Sequence, residues 1–279
     1  MPSSWAAISG GSSGSSWRSR SLPRCASYSP TPTNASTPEP GGGPTLALLS
    51  DIHSNLEALD AVLAAIPPVD RILVLGDTVG YGPDPNAVID RLRSVRARAV
   101  LGNHDQAMLD PSVLEWFNPH AAAAARWTQS ILTPGSRHFL ASLPKYGRIG
   151  RHRFVHGSPR KPYLWEYILE ELQALELLLR LGARWCFFGH THLPRIFTEE
   201  GEQVPEADEW IPLPASALVN PGSVGQPRDG NPDAAFAVVD LGRSTVRFGR
   251  VPYDVATTQA KIRDAGLPEV EAARLGHGR

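Results

Sequence analysis

Short apolar runs alternate with amphipathic segments between residues 45 and 101. The runs that begin at Thr45, Arg71 and Ala97 have the length of β-strands, and the first two are each followed by apolar residues at helical spacing. Ser54 and Glu57 fit a capping box at the start of the first helix. Strands and helices that alternate at this spacing predict βαβ units and a parallel sheet, and therefore an α/β protein.

The pattern changes after residue 105, first to helices and then to short strands. Helices are predicted at about residues 119–130, 134–143 and 163–181, with strands at 150–155 and 184–188. Beyond Pro194, strands are predicted at 195–198, 217–219, 234–240 and 245–250, and a final helix at about 253–264. The second half therefore combines a helical insert with a β-rich region.

The first 44 residues differ from the rest of the chain. They are dominated by Ser, Gly, Pro and Thr and have no periodic apolar pattern, so we expect a disordered tail over residues 1–44. A start codon assigned too early is an alternative explanation. Because Met108 is the only later methionine, a native start near residue 44 would use another codon. We expect one globular domain over residues 45–252 and a C-terminal helical extension over residues 253–279.

Composition and charge exclude several classes of protein. The formal net charge is -1, which argues against a general binder of nucleic acids. Two cysteines, Cys25 and Cys186, cannot form a disulfide framework, and no apolar stretch approaches the roughly 20 residues of a membrane span. The first thirty residues lack the apolar core of a secretory signal, so we expect a cytoplasmic protein.

Polar clusters follow the predicted strands at the point where each strand ends. They are Asp51-Ile-His53, Gly76-Asp77, Gly102-Asn-His-Asp105, His156-Gly157 and Gly189-His-Thr-His192. The carboxyl ends of parallel strands meet at one edge of a sheet, where ligands gather. Carboxylate, imidazole and amide oxygen suit divalent Mn, Fe, Ni or Zn. One carboxylate can bridge two such ions, and a hydroxide between them can attack phosphorus. The pattern therefore predicts a two-metal hydrolytic centre.

Each cluster taken alone also has a structural explanation. Asp51 or Ser54 could cap the following helix, Asp77 and Asn103 could occupy turns, and His156 could be a core histidine. However, five of the nine histidines lie in these clusters, and every cluster follows a strand. The combination favours metal binding.

The ordered motifs resemble those of the calcineurin-like metallophosphoesterase superfamily over roughly residues 45–250. The segments Gly76–Pro83 and Asn220–Asp229 resemble the small prokaryotic YfcE-like phosphodiesterases. Ser/Thr protein phosphatases carry an Arg in the second motif, where this chain has Gly80-Tyr-Gly, so a protein-phosphatase activity is not expected. The resemblance implies a four-layer α/β/β/α sandwich, with residues 45–252 as the metallophosphoesterase domain.

The resemblance also implies a role for each polar residue. It assigns the metal ligands in two sets that share a bridging residue: Asp51, His53 and His192 for the first ion, Asn103, His156 and His190 for the second, and Asp77 between them. His104 would donate a proton to the leaving group, and Asp105 would orient His104. Two divalent ions are expected, with Mn favoured over Fe, Ni and Zn.

Some residues beyond the ligands are candidates for substrate binding. The guanidinium fork of Arg228 matches a phosphate, although Arg228 could also be a solvated loop residue. Tyr81 and Asn55 are candidates for lining the pocket, and a helical insert at residues 110–145 is expected to shape it. The tryptophans of predicted helices, Trp116, Trp127 and Trp165, are expected to pack in the core or in a covering flap rather than to stack on bases.

The favoured function is a phosphodiesterase that hydrolyses small phosphodiesters or nucleotides. A phosphomonoesterase, or a dinucleoside polyphosphate hydrolase, would use the same centre. A catalytically silent scaffold on the same fold is a further alternative, but a scaffold would be free to lose ligands and none is missing here. We expect a small phosphate ester as the partner and no membrane association. The sequence is compatible with a homo-oligomer.

Overall fold

The structure is a computed structural model that describes residues 42–279. The predicted tail over residues 1–44 therefore lies outside the described residues, apart from its last three, and stays a prediction. The boundaries expected for the domain and the C-terminal extension also stay predictions. Within residues 42–279, no helix combines the length and the apolar character that a membrane crossing requires.

Twelve strands and eight α-helices are present in the described residues. The strands are β1 (Thr45–Leu49), β2 (Arg71–Val74), β3 (Arg98–Ala99), β4 (Tyr146–Ile149), β5 (His152–Val155), β6 (Trp185–Phe187), β7 (Pro194–Thr198), β8 (Gly201–Gln203), β9 (Trp210–Pro212), β10 (Ala217–Pro221), β11 (Ala234–Asp240) and β12 (Thr245–Val251). The helices are α1 (Leu56–Ala65), α2 (Pro85–Ser94), α3 (Asn103–Ala107), α4 (Pro119–Ile131), α5 (Pro134–Ser142), α6 (Glu171–Arg180), α7 (Val255–Asp264) and α8 (Glu269–Leu275), and a 3-10 helix spans Pro111–Trp116.

The strands form two six-stranded mixed sheets. The first has the order β3–β2–β1–β11–β12–β9, and the second has the order β4–β5–β6–β10–β7–β8. The predicted parallel pairing is confirmed for β1, β2 and β3, and β5, β6 and β10 are also parallel. The other strands pair antiparallel, because hairpins such as β11–β12 and β7–β8 return the chain directly to its neighbour. The parallel strands predicted in the first half therefore form part of a mixed sheet.

The sheets pack face to face, and helices cover their outer faces. Along β1, Leu46 and Leu48 lie in the core between the sheets, whereas Ala47 and Leu49 lie in a second core with α1 and α2. The outer face of the second sheet packs against α6, mainly through Leu178. Alternating residues of one strand enter different cores because side chains of a strand point to opposite faces in turn. The predicted four-layer α/β/β/α sandwich is confirmed.

The insert and the C-terminal helices form two smaller clusters beside the sandwich. One joins α2 to α3, α4 and α5 through apolar residues that include Met108 and Leu140. The other joins α4 to α7 and α8 through Ala124, Ile262 and Leu275. The final helix predicted at 253–264 is confirmed, whereas α8 was not predicted. The two clusters connect the C-terminus to the side of the molecule where the insert lies.

The helix predicted at 163–181 begins only at Glu171. Residues before it form a loop, in which the Ser158 N–H donates to the Glu166 carbonyl at 2.9 Å. Trp165 has a φ of 47°, which a right-handed helix does not allow. Apolar residues of the loop matched helical spacing, but Tyr163 is 54% exposed and packs in no helical core.

The start of α1 also differs from the prediction. Asn55, not Ser54, is the N-cap, and its side-chain oxygen accepts a hydrogen bond from the Ala58 N–H at 3.1 Å. Ser54 has a φ of 55°, whereas an N-cap residue adopts an extended backbone. The backbone turn after Asp51 therefore places the cap one residue later, and Asn55 is held by the helix rather than lining a pocket.

Candidate metal centre

The polar residues predicted at strand ends lie together in the structure. The loops after β1 and β2 carry Asp51, His53 and Asp77, and the loops after β5 and β6 carry His156, His190 and His192. The candidate ligand atoms form three groups, in each of which all atoms lie within 4.8 Å of one another: Asp51, His53 and His192; His53, Asp77 and His104; and Asp77, His156 and His190. Asn103 lies beside them, with its amide oxygen 3.0 Å from His156 Nε2.

Backbone carbonyls set the orientation of three imidazoles. The Nδ1 atoms of His53, His156 and His192 lie 3.2, 2.8 and 2.6 Å from the carbonyl oxygens of Val79, Leu75 and Gln226, respectively. A carbonyl oxygen only accepts, so each Nδ1 carries the proton and donates it. When the ring is neutral, its Nε2 then has a free lone pair. This is the arrangement that metal-ligating histidines require.

The spacing of the donor atoms fits a divalent ion. His53 Nε2 and His192 Nε2 are only 3.2 Å apart, although both present lone pairs. Asp51 Oδ1 lies 3.3 Å from His192 Nε2, and this buried oxygen has no hydrogen-bond partner within residues 42–279. Neighbouring ligands about 2.1 Å from one ion lie about 3.0–3.4 Å apart. A cation would replace this repulsion with attraction, so the residues present suit the predicted metal.

Asp77 lies between the two ligand sets. Its Oδ2 is 3.2 Å from His156 Nε2 and 3.8 Å from His53 Nε2, and its Oδ1 accepts the His104 backbone N–H at 2.9 Å. Burial alone would raise the pKa of Asp77, but the charge and the hydrogen bond of His156 hold it well below its usual range. Asp77 therefore presents a carboxylate, as a bridging residue must.

The other donors are buried in ways that shift their protonation. Burial lowers the pKa of His53, His190 and His192 well below 6.5, so these rings are neutral, as ligands must be. Burial lowers the pKa of His156, but the charge and hydrogen bond of Asp77, the charge of Asp51 and the Leu75 carbonyl together raise this pKa to about 9. Burial also raises the pKa of Asp51 to about 6. Four imidazoles and two carboxylates thus share one desolvated volume.

The backbone at the centre is strained. Left-handed φ angles occur at five candidate ligands: Asp51 (53°), His53 (49°), Asp77 (52°), His190 (70°) and His192 (61°). Such conformations cost on the order of 1–3 kcal/mol each in a residue with a side chain, and they persist where surrounding structure imposes them. The strain turns each side chain sharply away from its strand and into the shared volume.

Asp105 has partners other than the predicted one. Its carboxylate accepts the backbone N–H groups of Gly102 at 3.0 Å and Val79 at 3.1 Å. His104 Nδ1 has no hydrogen-bond partner within residues 42–279, and its ring packs against Tyr81 and Phe117. Asp105 therefore fixes the two loops that carry Asn103 and Asp77 rather than the His104 ring. Since His104 lies within ligand distance of His53 and Asp77, its role as a non-ligand stays a prediction.

Arg228 lies in a buried polar network that connects the centre to α8. The Gln226 carbonyl accepts from His192, and the Gln226 side chain bonds to Glu271 at 3.0 Å and to Arg228 at 2.8 Å. Glu271 is only 2% exposed. The Arg228 Nε is buried without a partner in the described residues, which leaves a donor free for an oxyanion. Gln226 lies in the loop singled out by sequence, but no sequence signal pointed to Glu271.

A cleft of about 440 Å³ adjoins the centre. Its lining residues are Tyr81, Asn103, His104, Val113, Trp116, Phe117, Asn118, Ala121, Tyr163, Leu164, Trp165, Tyr167 and His190. The insert does line it, as predicted, and so does Tyr81. Trp116 and Trp165 line the cleft instead of a core, whereas Trp127 packs against the cluster of α4, α7 and α8. Tyr167, which the sequence did not single out, stacks on His190 with ring centroids 3.9 Å apart.

Comparison with known proteins identifies relatives across most of the chain. The model of the calcineurin-like phosphoesterase superfamily domain matches residues 45–244. An uncharacterized protein of Methanocaldococcus jannaschii is 36% identical over 241 residues, covering 84% of this chain and 98% of that protein. Phosphodiesterase YfcE of Escherichia coli is 29% identical over 207 residues, covering 70% of this chain and 86% of YfcE. The crystal structure of a metallophosphoesterase from Sphaerobacter thermophilus is 39% identical, with a TM-score of 0.76, covering 85% of this chain and 100% of that one.

The matches agree with the fold and with the residues at its centre. The family match covers both sheets except for β12, and every predicted ligand falls within it. The resemblance seen in the motifs, including that to YfcE, is confirmed. The chain belongs to the calcineurin-like phosphoesterase superfamily and is a metal-dependent phosphoric ester hydrolase.

Proposed function

We propose that the protein is a phosphodiesterase with a binuclear metal centre that hydrolyses small phosphodiesters or nucleotides. The observation that supports this most is the meeting of two ligand groups at Asp77, with buried carboxylate and imidazole donors on both sides. The similarity to phosphodiesterase YfcE favours a diester substrate. The donors combine oxygen and imidazole and include no thiolate, which suits Mn, Fe, Ni or Zn, and manganese is the ion we propose.

The proposed reaction depends first on the residues that would hold the metal ions. Two divalent ions bound here would polarise the phosphate oxygens and lower the pKa of a water molecule. Asp51, Asp77 and Asn103 would supply oxygens to the ions and the histidines would supply Nε2 atoms, with His156 losing its proton when an ion binds. Water oxygen bonds to phosphorus, the ester P–O bond breaks, and the leaving oxygen takes up a proton.

His104 is the proposed donor to the leaving oxygen. Its ring is 5% exposed and lies at the boundary between the centre and the cleft. Burial lowers its pKa to about 4, so the ring is neutral in the free protein and acts through an N–H donor. An anionic phosphate beside the ring would raise this pKa and favour proton transfer. The half-buried Arg228 is proposed to stabilise the charge on the transferred phosphoryl group.

The test of this proposal compares a diester and a monoester with one leaving group. The protein is reconstituted separately with Mn, Fe, Ni and Zn, and the hydrolysis of bis(p-nitrophenyl) phosphate and p-nitrophenyl phosphate is measured. The expected result is a higher kcat/KM for the diester, greatest with Mn. A preference for the monoester would contradict the diester assignment, and no turnover with any ion would favour the silent scaffold.

A further inference from the structure

The cleft beside the metal centre has an aromatic lining. Nearly half of its lining residues carry an aromatic six-membered or indole ring: Tyr81, Trp116, Phe117, Tyr163, Trp165 and Tyr167. Several of these rings are left in solvent, with Trp116 88% exposed and Tyr163 54% exposed. Large apolar groups exposed together at a concave surface mark a binding site. Tyr81 and Phe117 pack against His104, and Tyr167 stacks on His190. The rings of Trp116 and Tyr163 are exposed and are the ones that a ligand would contact first.

The same lining contains no Lys, Arg, Asp or Glu within the described residues. A phosphate or polyphosphate chain in the cleft would therefore lose its hydration without gaining a cation. The group that the cleft takes is consequently uncharged. This separates the cleft from the centre, where the phosphate itself would bind.

Trp165 adds a polar feature to the aromatic surface. Its indole Nε1 is buried and has no hydrogen-bond acceptor within residues 42–279. Its backbone has a left-handed φ of 47°, which the packing of Gly157 against the Trp165 backbone accommodates only because Gly157 has no side chain. Asn118 supplies a second polar group. A ligand with a ring acceptor would satisfy the indole N–H.

The cleft and the metal centre share residues. Asn103, His104 and His190 line the cleft and also belong to the groups around Asp77. A substrate whose phosphate lies at the centre would therefore place an adjoining group in the cleft. Because His104, the proposed donor to the leaving oxygen, lies at this boundary, the group belongs to the leaving alcohol.

We propose that the cleft binds an uncharged, planar aromatic leaving group of nucleoside size, held by stacking on these rings. The volume of about 440 Å³ lies within the range of about 300–1,000 Å³ that small-molecule sites occupy. This inference rests on the proposed function and defines its substrate class as phosphodiesters of nucleosides or similar aryl-bearing alcohols. A dinucleoside polyphosphate fits less well, because part of its charged chain would enter the uncharged cleft.

The first test uses two substrates whose main difference is the planarity of the ring in the leaving alcohol. Benzyl methyl phosphate and cyclohexylmethyl methyl phosphate both release a primary alcohol of similar size, and the release of that alcohol is measured with the Mn-loaded enzyme. Stacking predicts that kcat/KM for benzyl alcohol release is higher by on the order of tenfold. Equal rates, or a preference for the cyclohexyl ester, would overturn the proposal.

The second test measures binding without hydrolysis. Adenosine, which has no phosphate, is titrated into the Mn-loaded enzyme and followed by saturation-transfer NMR and as a competitive inhibitor of bis(p-nitrophenyl) phosphate hydrolysis. Binding is expected, with a dissociation constant raised about tenfold in Tyr163→Leu and in Trp165→Leu. If Trp165→Leu does not fold, Tyr163→Leu still tests the proposal, because Tyr163 is exposed and its replacement leaves the core intact. Trp210→Leu is the matched control, because Trp210 lies on β9 against Arg247 and lines no part of the cleft.

The outcomes separate the two proposals. Hydrolysis of the diester without adenosine binding would refute the aromatic cleft and leave the phosphodiesterase intact. Adenosine binding without hydrolysis of any ester would refute the enzymatic function and leave the cleft. Equal adenosine affinity in wild type, Tyr163→Leu and Trp165→Leu would also refute the cleft.

Discussion

The metal centre and the aromatic cleft lie side by side, but they are held in different ways. Asp51 and His156 are fully buried, whereas Trp116 and Tyr163 leave more than half of their surface in solvent. In the centre, carbonyls of the loops after β2 and β10 orient three imidazoles, and the backbone is strained at five candidate ligands. The cleft is lined mainly by the insert and by the loop before α6.

This difference predicts a division of function. A rigid, desolvated centre suits a reaction in which ligand positions must be held closely. A partly exposed aromatic surface suits the selection of a leaving group, because its rings need only offer planar faces. Substitutions of metal ligands should therefore affect aromatic and non-aromatic esters alike, whereas substitutions of the cleft's aromatic residues should affect only substrates with an aromatic group.

The largest effect is expected from Asp77→Asn. The amide cannot bridge two cations as a carboxylate does, so kcat/KM should fall by more than about a thousandfold for benzyl and cyclohexylmethyl esters alike. Metal content, measured by plasma emission spectrometry, should fall as well. Asp60→Asn, on the exposed face of α1, is the control and should retain both activity and metal. An active Asp77→Asn protein with undiminished metal would show that the centre is not built around this residue.

His104→Ala should produce the next largest effect. Loss of a proton donor typically lowers rates by about 10²–10⁴-fold, and the loss should be greater for a poor leaving alcohol than for p-nitrophenol. Both metals should remain bound, since His104 is not assigned as a ligand. His138→Ala, at an exposed position of α5, serves as the control. A His104→Ala protein that has lost one metal would instead place His104 among the ligands.

A smaller effect is expected from Glu271→Ala in α8. This change removes the partner of the Gln226 side chain, which also holds Arg228, while the Gln226 carbonyl holds His192. We expect a roughly tenfold lower kcat for all esters and an unfolding free energy lower by about 1–3 kcal/mol. Glu271→Gln should restore part of kcat, because its amide oxygen can still accept from Gln226. Glu269→Ala, exposed and paired with Arg263, should leave kcat unchanged. A selective loss with aromatic esters alone would place the network in the cleft rather than the centre.

The smallest effect concerns His152, which lies outside both regions. It is buried against Trp185, and burial lowers its pKa from 6.5 to about 4. Between these two values the unfolded chain binds the proton more readily than the folded chain, so stability falls as the pH decreases through this window. His152→Phe should remove this part of the pH dependence, on the order of 1–2 kcal/mol, without changing turnover near neutral pH. Urea unfolding at several pH values measures the unfolding free energy of wild type and His152→Phe. Identical pH dependence in these two proteins would contradict the lowered pKa of His152.

The sequence located the metal ligands because these residues lie at the ends of strands that the sequence also predicts. Asp51, Asp77 and His190 each follow a strand directly, so the topology of a sheet was sufficient to bring them together. The four-layer fold followed from the family resemblance and is confirmed by the division of β1 between two cores.

The sequence was less informative where contacts are distant or where apolar residues are exposed for binding. Gln226 and Glu271 are 45 residues apart, and nothing in either local pattern links them. Residues 163–169 matched a helical pattern because periodicity reports apolar spacing and not what the side chains contact. The cap at Asn55 was missed for a related reason, since the left-handed turn at Ser54 accompanies a contact distant in sequence, in which the Ser54 N–H donates to the Thr78 carbonyl at 3.1 Å.

Electron paramagnetic resonance of the Mn-loaded protein tests most directly whether two ions share Asp77. Metal titration should reach two Mn per chain, and the spectrum should show an exchange-coupled pair that is lost in Asp77→Asn, as expected for ions about 3.5–4 Å apart. A single uncoupled Mn per chain at saturation, or two ions whose coupling survives in Asp77→Asn, would contradict the shared centre.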